Sequence, residues 1–122
     1  ESGDELRIVD AFAGKGIEEF RFADETVWTL EEIRNRLLEP TMGDDRIFGF
    51  DGRDDALSGG LGDDALEGGT GNDTYHFNIG DGDDIVLDSG GAADAVVFGD
   101  HIAPENVRFT VDGQTIVVSI DG

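Results

Sequence analysis

The chain has 122 residues, with 29 acidic residues against 8 basic ones and a formal net charge of −21. A compact fold with that balance repels itself, so either much of the chain is disordered or cations belong to its structure; nineteen glycines beside regularly spaced Val, Ile, Leu and Phe favour the second. The acidity argues against nucleic acid and anionic membrane as partners, the lack of cysteine excludes disulfides and thiolate metal sites, and no apolar run approaches the roughly 18 residues of a membrane span.

Residues 1–40 read as a strand–turn–strand–helix flank. Leu6–Phe12 and Ile17–Phe22 have strand character around a Gly14-Lys15-Gly16 turn. Residues 1–20 have no basic-then-apolar leader, and from the start at Glu1 without Met the chain is expected to be a piece of something longer. Thr29 opens a capping box with Glu32. Leu30, Ile33, Leu37 and Leu38 form one helical face, Arg34 and Arg36 lie toward the C-terminal end, and Pro40 stops the helix. The stretch Phe20-Arg-Phe-Ala-Asp-Glu-Thr-Val-Trp-Thr29 resembles the F-x-F-x-D-G-x-x-W-T signature of a domain found beside haemolysin-type calcium repeats, with Glu25 in place of the glycine. Trp28 is expected to pack the helix rather than bind a ligand.

Residues 41–98 are periodic. Gly59–Glu67 reads GGLGDDALE and Gly68–His76 reads GGTGNDTYH, two tandem copies of G-G-x-G-x-D-x-U-x, where U is a large apolar residue. Asp45, Asp55, Asp64, Asp73, Asp84 and Asp94 follow one another at 10, 9, 9, 11 and 10 residues. Two positions after each stands an apolar residue: Ile47, Leu57, Leu66, Tyr75, Val86 and Val96. Each unit divides into a turn and a short strand whose period of two sends U inward. Glycine permits the crowded backbone that aims carbonyl oxygens into the turn, and Asp adds a charged oxygen on a short stem. Carboxylate plus carbonyl is the usual oxygen mixture around calcium. With two units per coil, Asp45, Asp64 and Asp84 line one edge, and Asp55, Asp73 and Asp94 line the other. Stacked loops lie about 4.8 Å apart, close enough for a cation to sit between carboxylates that otherwise repel. The Asp64–Asp84 and Asp55–Asp73 pairs are the first candidates to be filled.

The nonapeptide resembles the calcium-binding repeat of the RTX (repeats-in-toxin) family. That resemblance implies ligation by the Asp carboxylate and by the carbonyls of the second and fourth repeat positions. On this chain these are Gly60, Gly62 and Asp64; Gly69, Gly71 and Asp73; and Gly80, Gly82 and Asp84. Gly43 with Asp45, Gly52 with Asp55, and Gly90 with Asp94 are the degenerate versions, Ala92 replacing glycine in the last. About two to four calcium ions are expected. An EF-hand started at Asp81-Gly82-Asp83 fails, because Ala92 stands where the bidentate Glu is required.

In the C-terminal flank, 99–122, Val107–Val111 and Gln114–Ile120 read as strands around an Asp112-Gly113 turn, following the strand Ala95–Gly99. Joining the Ile116–Gly122 end to a Glu1–Ile8 start restores a strand–turn–strand, which suggests a unit of a tandem array. His76 and His101 have no second imidazole or cysteine in a zinc-type pattern. No G-x-S-x-G, catalytic cysteine or P-loop occurs, so a catalytic role is not expected. The expectation is a mainly β chain: a right-handed parallel β-roll of nonapeptides with flanking β-hairpins and one short α-helix. Its partners are calcium ions and neighbouring modules of the same parent chain, with no membrane insertion by this segment and a monomeric state. The resemblance implies a secreted or bacterial cell-surface protein, exported by type I secretion and folding on calcium. Alternatives are a tandem spacer in a large RTX surface adhesin or a non-catalytic module of a secreted enzyme or toxin.

Overall fold

The fold is described from a computed structural model over residues 3–9 and 17–121. The chain divides into two compact units, Glu1–Arg36 and Leu37–Gly122.

In the first unit, β1 (Glu19–Arg21) and β2 (Val27–Thr29) form an antiparallel pair with Phe20 opposite Trp28. β1 lies inside the strand expected at Ile17–Phe22, but its partner is β2 and not the expected Leu6–Phe12 strand. Residues 3–9 carry no strand, and the Gly14–Gly16 turn lies outside the described residues. The chain instead reverses just after β1: Phe22 N–H donates to the Thr26 carbonyl at 2.9 Å, and Asp24 Oδ1 accepts from Thr26 N–H at 2.9 Å. That hydrogen bonding to Thr26 holds the Asp24 carboxyl below its ordinary value. Glu25 supplies the left-handed residue of the turn at φ +73°, where the signature has glycine.

Helix α1 (Leu30–Leu37) follows directly. Its capping box is complete: Thr29 N–H donates to Glu32 Oε2 at 2.7 Å, and Glu32 N–H donates to Thr29 Oγ1 at 3.3 Å. The Thr29 backbone donor, chiefly, lowers the Glu32 carboxyl pKa. Trp28 packs edge-on to Phe22, ring centroids 4.7 Å apart, with the Arg36 guanidinium 3.8 Å over its ring centroid. Thr29→Ala removes the Oγ1 that accepts the Glu32 N–H while keeping the backbone donor to Glu32 Oε2, and is expected to cost about 1 kcal/mol of local helix stability, measurable as faster amide exchange across 30–37.

In the second unit, six short strands alternate between two parallel sheets. One has the order β3 (Arg46–Phe48), β5 (Ala65–Glu67), β7 (Ile85–Leu87); the other β4 (Ala56–Ser58), β6 (Thr74–Phe77), β8 (Ala95–Phe98). β3, β4, β5 and β6 each pair with the second strand after them. Ile47 lies opposite Leu66, Leu66 opposite Val86, Leu57 opposite Tyr75, and Tyr75 opposite Val96. The strands therefore stack as three levels, β3–β4, β5–β6 and β7–β8.

Ile47, Leu57, Leu66 and Tyr75 join Leu38 in the buried cluster, with Phe50 packed against it. The third level departs from the expected uniform core. Leu66 and Tyr75 are 1% and 3% exposed, whereas Val86 and Val96 are 41% and 50% exposed. The register is the same in all three levels, and β3 and β4 are edge strands just as β7 and β8 are; what differs is that the buried cluster holding Ile47 and Leu57 also includes Leu38, with Phe50 packed against it, and includes no residue of β7 or β8. Leu37, expected on the buried helical face, is also exposed.

The second unit ends in an antiparallel hairpin, β9 (Val107–Asp112) and β10 (Thr115–Ile120), preceded by a 3₁₀ turn at Pro104–Asn106. Gly113 provides the turn's left-handed residue at φ +63°. The molecule is thus mainly β with one short helix, and no helix among the described residues is long and apolar enough to cross a membrane.

Candidate metal centre

The Asp-bearing loops connect the two sheets and so fall on two edges. The loops carrying Asp45, Asp64 and Asp84 precede β3, β5 and β7; those carrying Asp55, Asp73 and Asp94 precede β4, β6 and β8. Strand pairing continues into them. Ala65, Ile85, Thr74 and Ala95 N–H donate to the carbonyls of Asp45, Asp64, Asp55 and Asp73 at 2.8–2.9 Å. This holds successive Asp residues one directly above another.

Their carboxylates form a ladder. Asp64 Oδ1 accepts from Asp45 N–H at 2.7 Å, and Asp84 Oδ1 accepts from Asp64 N–H at 3.0 Å. On the other edge Asp73 Oδ1 accepts from Asp55 N–H at 2.9 Å, and Asp94 Oδ1 from Asp73 N–H at 2.8 Å. A second ladder runs the opposite way one residue earlier in each loop. Asp63 N–H donates to Asp44 Oδ1, Asp83 N–H to Asp63 Oδ1 and Asn72 N–H to Asp54 Oδ1.

The glycines wall these loops. A Cβ on Gly82 would collide with the Gly62 carbonyl, and one on Gly62 would lie 2.8 Å from the Gly43 carbonyl. On the other edge, a Cβ on Gly71 would strike the Arg53 carbonyl, and one on Gly91 the Gly71 carbonyl. Gly62, Gly71 and Gly82 also have φ of +125°, +126° and +119°, a backbone that L side chains resist. Gly52, Gly60, Gly69, Gly80 and Gly90 are left-handed too, but Gly43 is not. Register thus sets Arg53, rather than Gly52, beneath Gly71, and Gly91, rather than Gly90, above it.

The six carboxylates differ in how they are satisfied. Asp45 is served by Thr41, whose N–H donates to Oδ2 at 2.6 Å and whose hydroxyl donates to Oδ1 at 2.8 Å. Asp55 takes the Phe50 N–H on Oδ2 at 2.6 Å and pairs through Oδ1 with Arg53 Nε at 3.2 Å. The protein itself thus supplies a hydrogen bond or an ion pair to both oxygens of each first-level Asp, Asp55 Oδ1 having the Arg53 ion pair but no hydrogen bond. Beyond it the supply stops: Oδ2 of Asp64, Asp73 and Asp84 is buried with no hydrogen-bond partner. Native interiors seldom leave such an oxygen bare, since an unmet buried polar group costs about 1–3 kcal/mol and a charged one more. Burial pushes the Asp84 carboxyl pKa up; the Asp64 N–H works against this, while the Asp64, Asp81 and Asp63 charges add to the rise. Asp81 is buried but satisfied, taking the Asn78 N–H at 2.7 Å. Anionic oxygens walled by carbonyls fit a hard cation with oxygen ligands.

Asp88 was not legible as a site residue in the sequence. It brings a carboxylate oxygen within 4.8 Å of those of Asp73 and Asp94, a grouping able to hold a metal ion. The Tyr75 hydroxyl pKa is raised, first by burial and also by the charges of Asp88, Asp73 and Asp94. The signal was its place four residues after Asp84, where glycine stands four residues after Asp45 and after Asp64.

Against known families, residues 1–32 match the haemolysin-type calcium binding protein related domain. That match falls within the first unit and does not reach the Asp loops. No curated protein and no solved structure matches the chain.

Proposed function

We propose that this chain is an RTX-type calcium-binding module whose loops fill with calcium and whose second unit is a right-handed parallel β-roll. The observation that carries this reading is the set of three buried, unpartnered carboxylate oxygens on Asp64, Asp73 and Asp84. The match of residues 1–32 to a haemolysin-type calcium-binding-related domain supports the same chemistry from a separate part of the chain. The ligands would be those three carboxylates and Asp94, with glycine carbonyls from the same loops. The cation would supply the positive charge that the backbone ladder leaves unmet.

On this reading the module is non-catalytic, and calcium acts as a folding switch. Extracellular calcium modules bind at about 10⁻⁴–10⁻³ M, so the loops stay empty inside a cell and fill after secretion. At ten times Kd each independent site contributes about 1.4 kcal/mol, and several together rival the whole stability of a small domain.

Circular dichroism during a calcium titration from excess chelator tests this. Strand signal is expected to rise with a midpoint of about 10⁻⁴–10⁻³ M calcium, with magnesium much less effective because it demands a tighter octahedral shell. A complete strand signal in chelator, with a urea midpoint indifferent to calcium, would refute the reading.

A further inference from the structure

The first residue of each loop on the Asp55–Asp73–Asp94 edge is fixed by the strand register. Phe48 lies opposite Glu67 and Glu67 opposite Leu87, so Gly49, Gly68 and Asp88 are equivalent. The parallel bridge between Thr70 and Gly90 carries the same alignment into the loop. Two levels thus place glycine where the third places a carboxylate.

The side chains around these positions explain why. A Cβ on Gly68 would collide with Asp73 Oδ2 and with the Tyr75 hydroxyl, which accepts the Gly68 N–H at 3.0 Å. One level on, the strand residue opposite Tyr75 is Val96, which has no hydroxyl to fill that space. The Gly68–Tyr75 combination is therefore exchanged for Asp88–Val96. Asp88 is exposed and its Oδ1 accepts the Gly90 N–H at 3.1 Å.

Asp73 makes this more than an acidic cluster. Its side chain is completely buried, Oδ1 is used by Asp55 N–H, and Oδ2 has no partner. That free oxygen lies against Gly68, the register neighbour of Asp88, and the Asp73, Asp88 and Asp94 carboxylates converge within 4.8 Å.

We propose that Asp88 is a direct cation ligand and that Asp73, Asp88 and Asp94 form a three-carboxylate site, the tightest in the chain, for calcium or another hard oxygen-seeking cation. It rests on the calcium reading above and adds a ligand that the glycine–Asp pattern does not contain. Calcium affinity depends on ligand charge count and site rigidity. Two of the carboxylates are tied to the backbone ladder, and the third doubles as the cap of its own loop. The site also clamps the level with the least apolar cover.

Calorimetric calcium titration of the full chain, compared with Asp88→Gly and Asp88→Asn, tests the assignment. Asp88→Gly installs the residue already used at the two equivalent positions, so folding in saturating calcium is expected to survive. Both variants are expected to weaken the tightest binding step by about tenfold or more. A location readout comes from Tyr75, the single tyrosine beside a single tryptophan. In a Trp28→Phe background, terbium(III) luminescence excited through Tyr75 reports a cation near its hydroxyl, and its half-saturation is expected to rise about tenfold in Asp88→Asn. A wild-type chain that binds no calcium overturns both readings. A wild type that binds calcium, with isotherm and terbium half-saturation unmoved in both variants, overturns this one alone.

Discussion

Asp73→Asn is expected to raise stability in chelator and to lower it in calcium. Asp73 is fully buried, and its Oδ1 accepts the Asp55 N–H while Oδ2 meets no donor. Asparagine keeps the accepting oxygen and removes the charge. Without a cation, relief of that buried charge should return about 1–3 kcal/mol. With calcium the sign reverses, because Asp73 stands between Asp55 below and Asp94 above and serves the loops on both sides. Loss of two sites at ten times Kd removes roughly 3 kcal/mol. Paired urea melts, one in chelator and one in millimolar calcium, read the effect directly. A shift of the same sign and size in both would mean that Asp73 has only a packing role.

The second large effect is expected at Arg53. Its guanidinium reaches Asp55 Oδ1, and the Asp55 side chain is completely buried. Arg53 also occupies the place on this edge that Gly71 holds one level on. A tethered cation thus stands where the other loops present an unmet oxygen. Arg53→Gly should destabilise the chelated protein by about 3 kcal/mol, the cost of leaving a buried carboxylate alone. Calcium should restore most of that loss, and calorimetry should count one additional ion. If calcium restores nothing, the Arg53–Asp55 pair is a structural bridge unrelated to the cation loops.

The sequence was most readable where chemistry repeats. Six Asp-x-apolar units located all six parallel strands and their alternation between two sheets, because a one-residue slip would have reversed every side chain. The Thr29–Glu32 box and the Asp112-Gly113 turn were equally readable, being settled by neighbours in the chain. The misses depend on contacts distant in sequence. Leu6–Val9 has strand composition but forms no strand, while Val27–Thr29, read only as part of the signature stretch and the start of the capping box, pairs with Glu19–Arg21. Val86 and Val96 carry the inward pattern yet stay half-exposed, since periodicity does not reveal which levels share the cluster with Leu38 and Phe50. Asp88 and Arg53 each looked like one charge among many. Their meaning depends on register, which sets Asp88 beside Gly68 and Arg53 beneath Gly71.

The two carboxylate ladders run in opposite directions, and both reach one level and no further. Asp84 serves Asp64, and Asp64 serves Asp45, but nothing in the ladder ties Asp84 to Asp45. Such nearest-neighbour bonding makes length a free variable. Two strands and their loops can be inserted or deleted while every remaining loop keeps partners of the same kind. What changes with length is the number of oxygens that the protein cannot satisfy by itself, so an architecture of this kind can scale its demand for cations without altering its fold.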